Sequence, residues 1–223
     1  MTIETFINWI GIFGVVVFAV SGALVAARKN MDPVGFLLLG TITAIGGGTV
    51  RDIILNRPVF WLADPSQLVI ALVTSLFAYL FVSIAASFEK QKWVAWSDAL
   101  GLAAFAVQGS FIALSMNSHP IVVIIMGTMT AVGGGLIRDI LSSERPMIFR
   151  GQLYAIAAMS GAVAVVALHG FGMSDSLTAI AGFVIALATR GAAMVFNIRS
   201  GPPGEWFTVG KVPPPSDDRD GSN

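Results

Sequence analysis

Two segments carry most of the residues with chemistry to offer. Gly46-Gly47-Gly48-Thr49-Val50-Arg51-Asp52 and Gly133-Gly134-Gly135-Leu136-Ile137-Arg138-Asp139 each set a glycine triplet ahead of an arginine–aspartate pair, inside a long apolar run. A glycine costs about 1 kcal/mol relative to alanine in a helix interior, so a triplet is expected to kink or break its helix. A break frees carbonyl oxygens, which are tolerated at membrane depth only against protein or a water-filled cavity. The C-terminal end of a half-helix presents those oxygens with a partial negative charge, an arrangement suited to a monovalent cation. The backbone carbonyls of Gly46 and Gly133 are therefore the candidate ion ligands. Thr43 and Thr130, three residues ahead of the triplets, add hydroxyls, and so does Thr49, whose counterpart is Leu136. Close helix packing is the competing reading of such glycines. Repetition at matched positions, each time followed by Arg-Asp, favours a break at a pathway.

The charges are the sharper signal. Each intramembrane charge costs about 2.5–3.5 kcal/mol, so Arg51, Asp52, Arg138 and Asp139 together cost about 10–14 kcal/mol. That rivals the whole stability of a typical domain, about 5–15 kcal/mol. Such groups must pair, line water or reach a surface. One arrangement is a mutual lock, Arg51 with Asp139 and Arg138 with Asp52. In another, the carboxylates attract cations while the arginines gate them, and both can hold together. Arg190 is a fifth candidate, snorkelling to the inner face or reaching the pathway. Ser21, Gln108 and Ser110 can line the same cavity or make ordinary interhelical hydrogen bonds.

The elements that position these residues follow from composition. Of 223 residues, 55% are hydrophobic and 12% charged, the latter about half the usual quarter. Mean hydropathy is +0.80, which leaves too little polar surface to coat a globule. The fold class is an all-α integral membrane protein. Apolar runs give seven spans: Phe6–Ala27, Pro33–Leu55, Gln67–Phe88, Ser97–Met116, Pro120–Leu141, Gln152–Phe171 and Ser176–Asn197. Each is long enough to cross as a helix. The first lacks the basic lead-in of a signal peptide. Arg28/Lys29, Lys90/Lys92 and Arg145/Arg150 follow the odd spans, whereas Arg57 and little else follows the even ones. The positive-inside rule then puts the N-terminus outside and the C-terminus in the cytoplasm of a multi-pass plasma (inner) membrane protein. Trp9, Trp61, Trp93 and Trp96 fall near span ends, as an aromatic belt requires. Residues 199–223, rich in proline and acidic at Asp217, Asp218 and Asp220, read as a disordered cytoplasmic tail.

Several functions are excluded. Zero net charge removes the case for a nucleic-acid binder. Without cysteine there is no disulfide framework, thiol nucleophile or thiolate metal site, and His119 and His169 stand isolated. No Walker A, GxSxG or HExxH sequence occurs. The chain reads as a non-enzyme with no cofactor, its partners being lipid and monovalent cations.

Shifted by 87 residues, the chain aligns with itself. Phe18-Ala-Val-Ser-Gly22 meets Phe105-Ala-Val-Gln-Gly109, Pro33 meets Pro120, and Thr43 through Gly48 meets Thr130 through Gly135. Each unit, about 6–88 and 97–171, holds three spans, so the second must enter from the opposite side; a seventh helix at about 176–197 stands outside the repeat. Inverted repeats with interrupted helices point to a transport pathway at their interface.

At the Gly-Gly-Gly-x-x-Arg-Asp segments, Gly46–Asp52 and Gly133–Asp139, the sequence resembles the prokaryotic branch of the trimeric intracellular cation channel (TRIC) family. The repeated domain of that branch also carries a glycine-transporter label. The resemblance covers residues 1 to about 198. It implies a homotrimer with one pore per subunit, kinked at the glycines of helices two and five, and potassium foremost among the permeant ions. The Lys-Glu-Val segment of animal members is absent from span four, so voltage gating is not carried over. The alternative function is a secondary transporter of a small solute such as glycine.

Overall fold

Short polar residues mark where the helices begin and end. Asp32 caps the second helix by accepting from Gly35 N at 2.8 Å, with Pro33 at the first helical position. His119 does the same for the sixth, accepting from Ile121 N at 3.4 Å ahead of Pro120. Asn30, Asn56, Asn117 and Asn197 take left-handed backbone conformations just past helix ends, which asparagine tolerates.

A computed structural model describes residues 3–84, 90–151, 153–200 and 208–209. Its helices are α1 (Ile3–Arg28), α2 (Pro33–Ile54), α3 (Phe60–Ala63), α4 (Ser66–Ile84), α5 (Lys90–Ser115), α6 (Pro120–Leu141), α7 (Tyr154–Gly170) and α8 (Asp175–Val195). A 3-10 turn spans Met147–Phe149 between α6 and α7. Five helices are long and apolar enough to cross a membrane: α1, α2, α5, α6 and α8. The apolar stretches Ser66–Phe81 in α4 and Tyr154–Gly170 in α7 are shorter. The apolar pattern does not predict the single-turn α3 or the 3-10 turn, and α5 starts before the expected Ser97. The end of the third expected span, 85–88, lies outside the described residues, as does most of the tail. At its start the tail is not structureless: Ile198–Arg199 pairs antiparallel with Thr208–Val209, and Ser200 N donates to Gly151 O at 2.7 Å.

α1 and α5 pack on each other at the centre, α1 carrying α2 and α4, and α5 carrying α6, α7 and α8. α2 also packs on α6, α4 on α2, and α7 on both α6 and α8. The interior is built of small residues, Ala19, Ala23, Ala103, Ala104, Ala106, Ala131 and Ala158 among them, around the edge-to-face rings of Phe18 and Phe105, 5.1 Å apart. Large apolar side chains such as Leu38, Phe77, Phe81, Ile180 and Val184 point outward. That distribution suits helices which associate by close packing while their outer faces meet lipid.

Candidate functional site

The glycine triplets form a backbone-to-backbone crossing. A Cβ on Gly47 would lie 2.2 Å from Thr130 O, and one on Gly134 would lie 2.2 Å from Thr43 O. This reciprocity means that α2 and α6 pass in opposite directions at the contact. Both helices run uninterrupted through the triplets, so of the expected break or kink the break is not present, and none frees the carbonyls of Gly46 and Gly133. An unbroken helix keeps its carbonyls in the i to i+4 ladder. The reason lies in what the glycines do here: without side chains they let two backbones touch, and that contact offsets their low helix propensity. Thr43 and Thr130 are fully buried, and their hydroxyls donate back to Leu39 O and Met126 O. Thr49 donates to Ile45 O at 2.8 Å and accepts from Trp61 Nε1 at 2.9 Å.

The arginine–aspartate pairs close within their own helices, not across. Arg51 Nε donates to Asp52 Oδ1 at 2.9 Å with Nη2 in ion-pair contact at 2.8 Å, and Arg138 Nε and Nη2 stand at the same two distances from Asp139 Oδ1, with Nε donating. The cross-pairing of Arg51 with Asp139 and Arg138 with Asp52 is thereby corrected. The second oxygen of each carboxylate explains it. Asp52 Oδ2 accepts from Phe60 N at 2.9 Å and Asp139 Oδ2 from Met147 N at 2.8 Å, so each aspartate is pinned to the segment after its own helix. That bond also starts α3 in one half and the 3-10 turn in the other.

Beyond this shared core the halves differ. At the Arg138 end, Nη1 donates to Asp98 Oδ1 and to Ser21 Oγ, both at 2.6 Å. The guanidinium of Arg190 lies 5.2 Å from the Tyr154 ring centroid, in the same group. Arg138, Asp98 and Arg190 are fully buried and Tyr154 nearly so. Arg190 thus reaches the interior and does not snorkel to the surface: two carboxylates and a ring gather there, against the two arginines. A Cβ on Gly135 would sit 2.4 Å from the Tyr154 hydroxyl, so this group closes directly over the second triplet. Sequence reasoning misses Asp98 and Tyr154; the available signal is an acidic residue at the very start of an apolar span whose counterpart, 87 residues earlier, is Gly11.

At the Arg51 end the corresponding space is a cavity of about 210 Å³, lined by Arg51, Arg57, Phe60, Gln67 and Gln108. A cavity of about 390 Å³ shares Arg57 and Ile112 with it and reaches His169 and Asp175. The glycine crossing and the Phe18–Phe105 pair bring Gly47, Gly134, Thr43 and Thr130 together, Ser21 joins the Arg138 end, and Gln108 the Arg51 end. Outside the helices, Glu144 gathers Arg28, Lys29 at 3.6 Å and Arg150 at 3.1 Å. Partial burial pushes its carboxyl up, but hydrogen bonds from Arg28 and Arg150 outweigh that and hold it at about 2. Among the described residues no group of three or more histidine or acidic side chains could hold a metal ion.

Comparison with known proteins adds to this geometry. The family model described as glycine transporter matches twice, over residues 8–83 and 95–170. The starts of the two matches are 87 residues apart (95 − 8), the offset at which the sequence repeats itself. The UPF0126 inner membrane protein YadS of Escherichia coli K12 is 40% identical over 199 residues, covering 86% of this chain and 94% of that protein. The crystal structure of a TRIC trimeric intracellular cation channel orthologue from Rhodobacter sphaeroides matches with a TM-score of 0.83 at 42% identity, over 86% of this chain and 99% of its own. A second structure, from work on conductance through TRIC cation channels, matches with a TM-score of 0.78 at 35% identity, over 87% and 96%.

Proposed function

The chain belongs to the TRIC family, that of the matched glycine-transporter model and a family of ion channels, not enzymes; on that premise we propose that it is a monovalent cation channel, permeable to potassium, in the bacterial inner membrane. The subunit is one of a homotrimer and carries its own pore, with seven spans in two inverted three-helix units plus α8. The N-terminus is outside and the C-terminus in the cytoplasm. Opposite passage of α2 and α6 at their matched glycines supports the inverted arrangement.

The observation that carries the reading is the glycine crossing, flanked on both sides by buried charge. The ion path runs from the cavity beside Arg51, past Thr43, Gly47, Thr130 and Gly134, to the Asp98–Arg138–Tyr154–Arg190 group. With α2 and α6 in contact the path is shut. Opening requires the two helices to bend at their triplets, where the local cost is about 1 kcal/mol per glycine already spent against alanine. Only then do the carbonyls of Gly46 and Gly133 become available to a cation. Ser21 and Gln108 line the two ends of the path.

An ion-flux assay on purified protein in liposomes, comparing potassium, sodium, chloride and glycine, tests this. Unsaturated potassium and sodium flux without chloride flux is expected. Saturable glycine uptake competed by unlabelled glycine, without cation flux, would overturn it.

A further inference from the structure

Arg51 and Arg138 share the same anchors but not the same partners. Arg138 Nη1 donates to the Asp98 carboxylate and the Ser21 hydroxyl. At 87 residues' separation the matching positions are Gly11 and Gln108, so no carboxylate faces Arg51 from α1. Among the described residues Arg51 Nη1 has no hydrogen-bond partner, although the side chain is only 3% exposed. A buried charged donor left in that condition is costly.

Arg51 belongs to the wall of the cavity of about 210 Å³. Such a volume has room for roughly seven waters at about 30 Å³ each. Arg57 and the amides of Asn8, Gln67 and Gln108 supply further donors to it. The local charge is not balanced: Arg51 and Arg57, whose Nε is 3.6 Å from Asp52 Oδ1, share one carboxylate. The wider cavity beyond adds Asp175, which is engaged by His169 at 3.3 Å.

We propose that this cavity binds a small monovalent anion with the charge and size of a simple carboxylate, held by Arg57 and Gln108 beside the charge of Arg51. The other half of the molecule supplies the template, since Asp98 presents to Arg138 from within the chain what the ligand presents to Arg51 from solution. The site lies in the cavity from which the proposed ion path starts, but it is tested separately, by binding and not by current.

The probe is acetate. Thermal unfolding midpoints of the purified protein are compared in potassium acetate, potassium chloride and potassium gluconate at equal potassium concentration. Gluconate, a bulkier carboxylate with a hydroxylated six-carbon chain, serves as the reference. Acetate is expected to raise the midpoint saturably by several degrees, because a ligand that binds only the folded state stabilises it by mass action. An equal rise in chloride assigns the site to halides as well as carboxylates; no rise in chloride restricts it to carboxylates. Arg51→Gln is expected to abolish the acetate shift. Because that change also strips Asp52 of a partner, a second variant is decisive: Gly11→Asp with Gln108→Ser, which copies the Asp98–Ser21 arrangement. A Cβ at Gly11 meets only the end of the flexible Gln108 side chain, 1.9 Å from Nε2, and the serine removes that contact. This double variant is expected to unfold no earlier than wild type in gluconate and to ignore acetate. Identical midpoints for wild type in all three salts, or an acetate shift retained in the double variant, would overturn the proposal.

Discussion

Gly47 rests on the backbone of Thr130: a Cβ there would lie 2.2 Å from the carbonyl oxygen and 3.2 Å from Gly134 N. Gly134 repeats the contact against Thr43, so one crossing is built from two interlocking halves. Backbone atoms cannot rotate out of the way as a side-chain tip can.

Gly47→Ala and Gly134→Ala are therefore expected to force α2 and α6 apart, at a cost of about 1–3 kcal/mol each, as for other overpacked sites. Gly46→Ala is the control. Its Cβ would meet only Ile137 Cδ1 at 2.9 Å, a flexible tip, and alanine favours the helix. Unfolding midpoints of the three variants check this; equal losses at positions 46 and 47 would show that propensity, not the crossing, sets the response.

Asp98 balances Arg138 in a site where both are fully buried. Asp98→Asn keeps the shape and removes the charge, leaving two buried arginines against Asp139 alone. Breaking a buried pair costs about 3–5 kcal/mol. Asp98→Asn is expected to lose that much stability, and Asp175→Asn, exposed and facing only His169, far less. Chemical denaturation in detergent discriminates the two.

Glu144 supplies a pH signature. Its folded-state pKa of about 2 lies below the ordinary value, about 4.3, that it regains on unfolding. The stabilisation it gives is therefore complete above about pH 4.3 and lost as pH falls towards 2. The cluster is partly solvated, so the effect is on the order of 1 kcal/mol. Glu144→Gln should remove this component from the acid limb of a stability–pH curve and leave the neutral limb simply lower.

Part of this architecture is legible in the amino-acid sequence. Long apolar runs locate the helices, and Pro33 and Pro120 fix two helix starts, because apolar length and proline's missing N–H act locally. Gly47 and Gly134 are recognisable as a matched pair, but their propensity cost points to a break, since the compensating contact comes from a helix far away in sequence. The partners of Arg51 and Arg138 are hidden for a related reason. Neighbours at i and i+1 do not face each other on a regular helix; here the backbone amides of Phe60 and Met147 pin the carboxylates at the helix ends, where each arginine folds back onto its neighbour. In sequence Asp98 resembles a residue at a membrane boundary, and Arg190 a snorkelling cation. Only tertiary packing brings them together with Tyr154. Single turns such as α3 leave no apolar period to read.

Cation conduction is tested most directly by recording the purified protein in a planar bilayer under a potassium chloride gradient. Expected are discrete current steps that reverse on the potassium side of zero, and a loss of those steps when Gly47 is replaced by valine in protein that remains folded. A silent bilayer from folded wild-type protein, or a current reversing on the chloride side, would contradict it.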